Sequence, residues 1–212
     1  MDFAEKYQYF PVEDWKRVIW SDETKINQFG SDGKKWAWKR SGKQLNKRLV
    51  EPTLKHEGGS LMMWDCMSCD IVSHAAKIDG RMGSDLYCSI LEDELLKSIK
   101  YFKKKRKNIL FQQDNDPKHK SKKATSWFKD HKIQVMDWPA QFSDLNPIEH
   151  LWVHLKRQLT AYSTPSSGIN NLWECTQREW EAIDTAVVQN LIESMPRRVK
   201  EVIKARGGYT NY

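Results

Sequence analysis

The segment that most restricts how this chain can fold is Ile109-Leu-Phe-Gln-Gln-Asp-Asn-Asp-Pro-Lys-His119. Its apolar start, Ile109 to Phe111, predicts a buried strand. The run gives way to a carboxylate, Asp114, where the strand should end. Asp116-Pro117 then predicts a helix start, with Asp as N-cap and Pro at the first helical position. A buried strand that delivers an Asp to its open end is a platform for a metal ion. Taken singly, such an Asp is more often a turn or cap residue, so the question is whether other carboxylates converge on it.

The surrounding pattern supplies the rest of a sheet. Residues 1–17 are amphipathic and aromatic (Phe3, Tyr7, Tyr9, Phe10, Trp15) and predict a partly helical lead-in packed on the domain. Strands are expected at Val18–Ile26, at Lys35–Arg40 after a turn at 29–33, at Ser60–Met67, at a short piece within 70–80, and at Ile133–Trp138. Helical spacing of Leu86, Ile90, Leu91, Leu95 and Ile99 predicts a helix from Ser84 to about Tyr101. A short helix is expected at Lys120–Asp130, and another from Ile148 to about Tyr162 on the stripe Ile148, Leu151, Trp152, Leu155, Leu159. Further helices are expected near 169–182 and 184–206, with Pro196 interrupting the latter or starting a third. Strands first, then strands mixed with helices, then helices alone describe an α/β fold, a mixed sheet flanked by helices, in one domain over 1–212.

Net charge is +7, from 35 Lys and Arg against 28 Asp and Glu. That excess permits an electrostatic partner such as nucleic acid without requiring one. Ten tryptophans are many for 212 residues, and packing accounts for most of them. Cys66-Met-Ser-Cys69 has the spacing of half a zinc site, but no second pair follows. Together with Cys88 and Cys175 it fits reduced thiols in an intracellular protein. The start lacks a secretory signal pattern, and no apolar run is long enough to span a membrane.

Three carboxylates stand out by position. Asp22 ends the apolar start of the first strand, Asp114 ends the central one, and Glu149 lies in the first turn of the helix after Asn146-Pro147. If the first and central strands are neighbours, Asp22 and Asp114 emerge at one sheet edge, and a helix packed across it brings Glu149 opposite them. Three hard oxygen ligands suit magnesium. Asn146-Pro-Ile-Glu149 also fits a capping box, a purely structural use of the same Glu. Glu23 should face away from Asp22, either solvated or paired.

Ser21-Asp-Glu, Gln112-Gln-Asp-Asn-Asp-Pro-Lys-His119 and Asp137-Trp-Pro-Ala-Gln-Phe-Ser-Asp-Leu-Asn-Pro-Ile-Glu-His-Leu-Trp152 together resemble the catalytic domain of mariner-type transposases. Glu at 149 is similar to the Tc branch of that superfamily. Phe29-Gly-Ser-Asp-Gly33, Gly58-Gly-Ser60 and the ending Gly207-Gly-Tyr-Thr-Asn-Tyr212 extend the resemblance over nearly the whole chain. It implies a ribonuclease-H-like fold and an Asp–Asp–Glu triad at Asp22, Asp114 and Glu149, holding two Mg²⁺ or Mn²⁺ ions. The implied activity is DNA strand cleavage and 3′-end strand transfer in cut-and-paste transposition, on double-stranded DNA at element ends and a TA target, by a possible homodimer in the nucleus. Candidate DNA contacts are Lys118, His119, Lys120, Lys122, Lys123 and His150, of which His119 and His150 flank the presumed site and fit a support for a carboxylate or a structural role as well. Lys43, Lys47 and Arg48 join them in a basic loop at 41–58, the place of the family's clamp loop. Lys103-Lys-Lys-Arg-Lys107 fits a nuclear-import signal, a phosphate patch or a solvated turn equally well.

The family's helix-turn-helix modules have no room ahead of Asp22, so a catalytic fragment or remnant is expected. Asp65 falls where the resemblance calls for Gly, and a carboxylate buried there without partners would be costly. A DNA-binding remnant without turnover is therefore the alternative, and a general ribonuclease-H-like nuclease a third.

Overall fold

A computed structural model describes residues 2–28, 59–139, 145–162, 164 and 166–207. The expected strand at 35–40, the loop at 41–58 with Lys43, Lys47 and Arg48, the segment 140–144 and the ending at 208–212 lie outside them.

Among the described residues five strands form one sheet in the order β3-β2-β1-β4-β5: β1 Val18–Asn27, β2 Ser60–Met67, β3 Ala76–Ile78, β4 Leu110–Gln112 and β5 Gln134–Val135. β1 pairs antiparallel with β2 and parallel with β4; β2 and β3 are antiparallel, β4 and β5 parallel. The mixed sheet is the expected architecture, and the first and central strands are neighbours. The register aligns Val18 with Leu110 and Trp20 with Gln112. Carried two residues further, it brings Asp114 level with Asp22.

Alternation along β1 sends successive side chains to opposite faces. Val18, Trp20 and Ile26 join one core with Leu61, Met63 and Met67 of β2, while Ile19 joins the other with Trp64, Cys66 and Phe111. The first face is covered by α1 (Asp2–Tyr7), α2 (Val12–Trp15), α6 (Pro147–Thr160), α7 (Ile169–Glu181), α8 (Thr185–Glu193) and α9 (Met195–Lys204). The second is covered by α3 (Ser84–Ile90) and α4 (Leu96–Tyr101), joined through a wide turn at Leu91–Leu95, and by α5 (Lys122–Asp130). Tryptophan dominates the first face. Trp15 stacks on Trp20 with ring centroids 5.9 Å apart, and Trp152 on Trp180 at 4.5 Å. Truncating any one of these buried rings to Ala should cost about 3–5 kcal/mol. The four cysteines are buried and unpaired, as expected. No described helix is long and apolar enough to cross a membrane.

Local details differ from the sequence reading at three places. Asp116-Pro117 opens only a turn: Asp116 Oδ1 accepts the Lys118 amide at 2.9 Å, and α5 starts later, with Ser121 as N-cap accepting from Ala124 N at 3.2 Å. The capping box at Asn146 does not form, because the Asn146 amide reaches away to Ser21 O at 3.4 Å. The strand expected at 133–138 has ladder pairing only at Gln134–Val135, after which Asn115 Nδ2 holds the Trp138 carbonyl at 2.7 Å.

Asp65 lies directly across the β1–β2 ladder from Asp22, with no solvent exposure. Its Oδ1 accepts from Cys66 N at 2.6 Å and from the Ser73 hydroxyl, while Oδ2 has no partner. Burial pushes this carboxyl well above the usual range, so the folded protein favours its neutral form. The unfolded chain loses that proton from about pH 4, so this group makes stability fall as pH rises toward its folded-state value. Asp65→Asn should remove the penalty. Its melting temperature is expected to exceed the parent's at pH 8 and to converge on it near pH 4.5, as measured by thermal unfolding in EDTA.

Candidate active site

Residues Ser21 to Glu23 of β1 place two carboxylates on the two faces of the sheet. Asp22 turns toward the α6 side. There Pro147 begins α6, with Glu149 in its first turn, and the Glu149 carboxyl hydrogen-bonds to that of Asp22. Burial first, and then the charge of Glu149, pushes Asp22 up to about 8. The pair therefore holds a proton at neutral pH that two exposed carboxylates would release.

The approach of α6 to β1 is fixed by buried polar groups. Gln112, at the end of β4, accepts Ser21 N at its side-chain oxygen (3.2 Å), and its carbonyl accepts the Ser21 hydroxyl (2.8 Å). Asn146 ties the α6 start to the same Ser21 carbonyl. Behind Glu149, Arg198 of α9 is buried and donates to His150 Nε2 at 2.9 Å and to Ser194 Oγ at 2.8 Å.

Glu23 turns to the other face, paired as one of its two expected fates. It meets the loop after β4: Glu23 Oε1 lies 3.1 Å from His119 Nε2, and Oε2 lies 3.3 Å from Lys118 Nζ. The opposite ring nitrogen, Nδ1 of His119, bonds Asp114 Oδ1, which also accepts the Asp116 amide at 2.9 Å. The Tyr87 ring packs on the His119 ring at 4.2 Å. Its hydroxyl donates to Gln113 Oε1 at 2.5 Å, and Gln113 Nε2 donates to the His119 carbonyl at 3.2 Å. Burial works against a charge on His119, yet the hydrogen bonds to Asp114 and Glu23 raise it to about 9. Burial likewise opposes the Asp114 charge, but the His119 bond and the Asp116 amide hold that carboxyl below its ordinary value.

The three carboxylates thus fall into two groups at one end of the sheet. Asp22 and Glu149 meet directly; Asp114, half exposed at the end of the adjacent strand, is held by His119. Among the described residues no three acidic, His or Cys side chains already stand as a metal-binding cluster. The donor set still fits a hard divalent cation: all oxygen, with one carboxyl kept protonated by burial and by a like-charged neighbour whose charge a cation would offset.

The candidate DNA contacts separate as well. Lys120 and Lys122 are exposed. Lys123 is exposed but pairs with Asp85 at 2.6 Å. Lys118 and His119 turn inward, the Lys118 side chain to Glu23 and Asp116. His150 is half-buried, with Nε2 taken by Arg198. Gln112, Tyr87 and Arg198 were not singled out from the sequence, and Asn146 was read there only as a helix cap. Only Gln112 had a signal there, a polar residue closing an apolar strand.

A family described as DDE superfamily endonuclease matches residues 17–173. The chain is 38% identical over 216 residues to the Tcb1 transposable element transposase of Caenorhabditis briggsae, covering 100% of this chain and 76% of that protein. It is 39% identical over 206 residues to the Tc1 transposase of Caenorhabditis elegans, covering 94% and 72%. In fold it is similar to Mos1 transposase in its paired-end complex with the left transposon end, with a TM-score of 0.78 at 16% identity; it covers 97% of this chain and spans 59% of that one. The Mos1 catalytic domain solved with raltegravir and Mg gives 0.74 at 15% identity, covering 99% and 92%. The mixed sheet with its flanking helices is thus the ribonuclease-H-like fold of that catalytic domain.

Sharing of a proton by Asp22 and Glu149 has a measurable consequence. In the metal-free protein Asp22 keeps its proton up to about pH 8, whereas the unfolded chain releases it near 3.8, so stability falls as pH rises between those values. Glu149→Gln removes the repelling charge. The variant should show a shallower fall in melting temperature from pH 5 to 8 in EDTA than the parent chain.

Proposed function

This chain belongs to the DDE superfamily endonucleases, among transposases of the Tc1/mariner type, and from that premise we propose that it cleaves DNA strands and joins freed 3′ ends to target DNA through Asp22, Asp114 and Glu149. The meeting of Asp22 with Glu149 beside the strand that ends at Asp114 is the observation that carries this reading. Asp22, Asp114 and Glu149 are the residues that would hold two Mg²⁺ or Mn²⁺ ions, and the use of Mg in the Mos1 catalytic-domain structure supports that cofactor class. When bound, such ions supply Lewis acidity at the phosphate and an activated water or 3′-hydroxyl.

The chain's own residues have distinct tasks in this scheme. Asp22 and Glu149 would hold such an ion as a dianionic pair, their proton passing to solvent when it binds. Asp114 offers its Oδ2, since Oδ1 is committed to His119 and the Asp116 amide. Ser21, Gln112 and Asn146 keep β1, β4 and the α6 start in fixed relation. Lys120 and Lys122, exposed just past Asp114, attract the DNA backbone. Because the nucleophile is water or a DNA hydroxyl, one site serves both cleavage and joining.

Double-stranded element ends and a TA target are the proposed substrates, with a homodimer as the assembly and residues 1–212 as one catalytic domain. The nucleus is the proposed location. Lys105, Arg106 and Lys107 are exposed at the start of β4, the end of the strand away from Asp114. That position favours a receptor-read address over a phosphate contact at the carboxylates. Lys104 serves structure as well, donating to Lys16 O at 3.1 Å.

Asp65 supported the non-enzymatic alternative. The folded protein accommodates it as a neutral, hydrogen-bonded group on β2, which weakens that argument. The test is to incubate the chain with a pre-nicked element-end duplex and a plasmid in Mg²⁺ or Mn²⁺. Joined product is expected, abolished by EDTA and lowered about 10³-fold or more by Asp22→Asn, Asp114→Asn or Glu149→Gln. DNA binding without product would support a remnant, and cleavage of an RNA–DNA hybrid a general nuclease.

A further inference from the structure

Two carboxylates from different strands share one buried ring. His119 is 4% exposed, and both ring nitrogens are engaged: Nδ1 by Asp114 Oδ1, and Nε2 by Glu23 Oε1 at 3.1 Å. No ring nitrogen is left for a phosphate. The ring is fixed in its plane by Tyr87, 4.2 Å away between centroids. Its backbone carbonyl is fixed by Gln113 at 3.2 Å, and Gln113 is itself held by the Tyr87 hydroxyl at 2.5 Å. Glu23 is fixed in turn by Lys118 at 3.3 Å. The chain of contacts runs from a strand and a helix on one face of the sheet to a single oxygen of Asp114. Asp114 Oδ2 receives no protein donor among the described residues. A half-exposed Asp at a strand end has free rotation about χ1 and χ2 unless something removes it. Here one oxygen is taken, so the other has a set direction.

We propose that His119, braced by Glu23, is a positioning residue that commits Oδ1 of Asp114 and thereby aims Oδ2 at a divalent cation. The proposal rests on the reading of Asp114 as a metal ligand given above and deepens it. The logic is that of an outer-shell partner, which orients a ligand instead of binding the ion. Glu23 is needed because a ring held at one nitrogen can swing. With Glu23 on the second nitrogen and Tyr87 across its face, it cannot. The dipeptide Asp22-Glu23 then has a divided duty, one side chain toward the site and the next toward the brace behind Asp114.

The test is a Mn²⁺ titration of the 212-residue chain, with free Mn²⁺ followed by electron paramagnetic resonance, on parent, His119→Asn, His119→Gln, His119→Ala and Glu23→Gln. Asn places an amide nitrogen near the position of Nδ1 and can still hold Asp114; Gln places one near Nε2 and can reach only Glu23. Removal of an outer-shell partner typically costs 10–100-fold in metal affinity. His119→Gln and His119→Ala should weaken Mn²⁺ binding by about that factor, and His119→Asn should restore most of it. Glu23→Gln should fall between parent and His119→Gln. In strand cleavage kcat should fall while KM for DNA stays near the parent's.

Equal Mn²⁺ affinity in His119→Gln and parent would overturn the proposal, as would a raised KM for DNA with unchanged Mn²⁺ binding, the signature of a phosphate contact. If His119→Ala fails to fold, Glu23→Gln decides, and parent-like affinity there would also overturn it. The titration needs no turnover. Parent chain that binds Mn²⁺ through Asp114 yet leaves DNA intact would overturn the enzymatic reading, while the same order of variants would still support positioning. Parent chain that binds no Mn²⁺ through Asp114 overturns both.

Discussion

Two neighbouring residues of one strand cannot point the same way, and the site depends on that constraint. β1 is ten residues long, paired on both sides, and buried on both faces at its start. Its pleat sends Asp22 into the helical layer of α6 to α9 and Glu23 into the opposite layer. A shift of β1 by one residue against β4 would exchange them. Such a shift is opposed by Trp20 on one face and Ile19 on the other, both without solvent exposure, and by the two hydrogen bonds between Ser21 and Gln112. Register is thus held by apolar burial and by a polar clamp one residue before the first carboxylate.

The electrostatics follow from the same placement. One end of the sheet collects Asp22, Glu149, Asp114, Glu23 and, across the ladder, the buried Asp65. Each is dealt with by a different means. Asp65 stays neutral, Asp22 and Glu149 share a proton, and Asp114 and Glu23 divide a cationic imidazole. Without the ring only Lys118 would offset the negative charge of the last two in a half-buried setting. A fold that concentrates acid groups this way spends stability to keep a place for positive charge.

Much of this was legible in the sequence because it rests on periodicity. The bounds of β2, Ser60–Met67, and the start of α3 at Ser84 follow from alternation and helical spacing. The turn of α6 that bears Glu149 follows from the same patterns, whereas the pairing of β1 with β4 was only a condition there and comes from the structure. What escaped depends on contacts between segments far apart in the chain. Asn146 reads locally as a helix cap, but its amide has a better use 125 residues away at Ser21. His119 reads equally as a phosphate contact, a support for a carboxylate or a structural residue, and only the packing of Tyr87 from α3 makes it interior. Asp116-Pro117 reads as a helix start, yet the chain spends one turn there before Ser121 opens α5. Arg198 sits in a basic, amphipathic helix, and nothing in its neighbours announces a buried guanidinium.

The sheet's two margins also matter. Among the described residues the outermost strands are β3, three residues long, and β5, two. An incoming strand needs a run of unpaired amides and carbonyls, and margins this brief provide few. Copies of the protein crowding onto one nucleic acid would therefore gain little from growing the sheet between them. The short margins thus guard against polymerisation of a chain with an unusually aromatic interior.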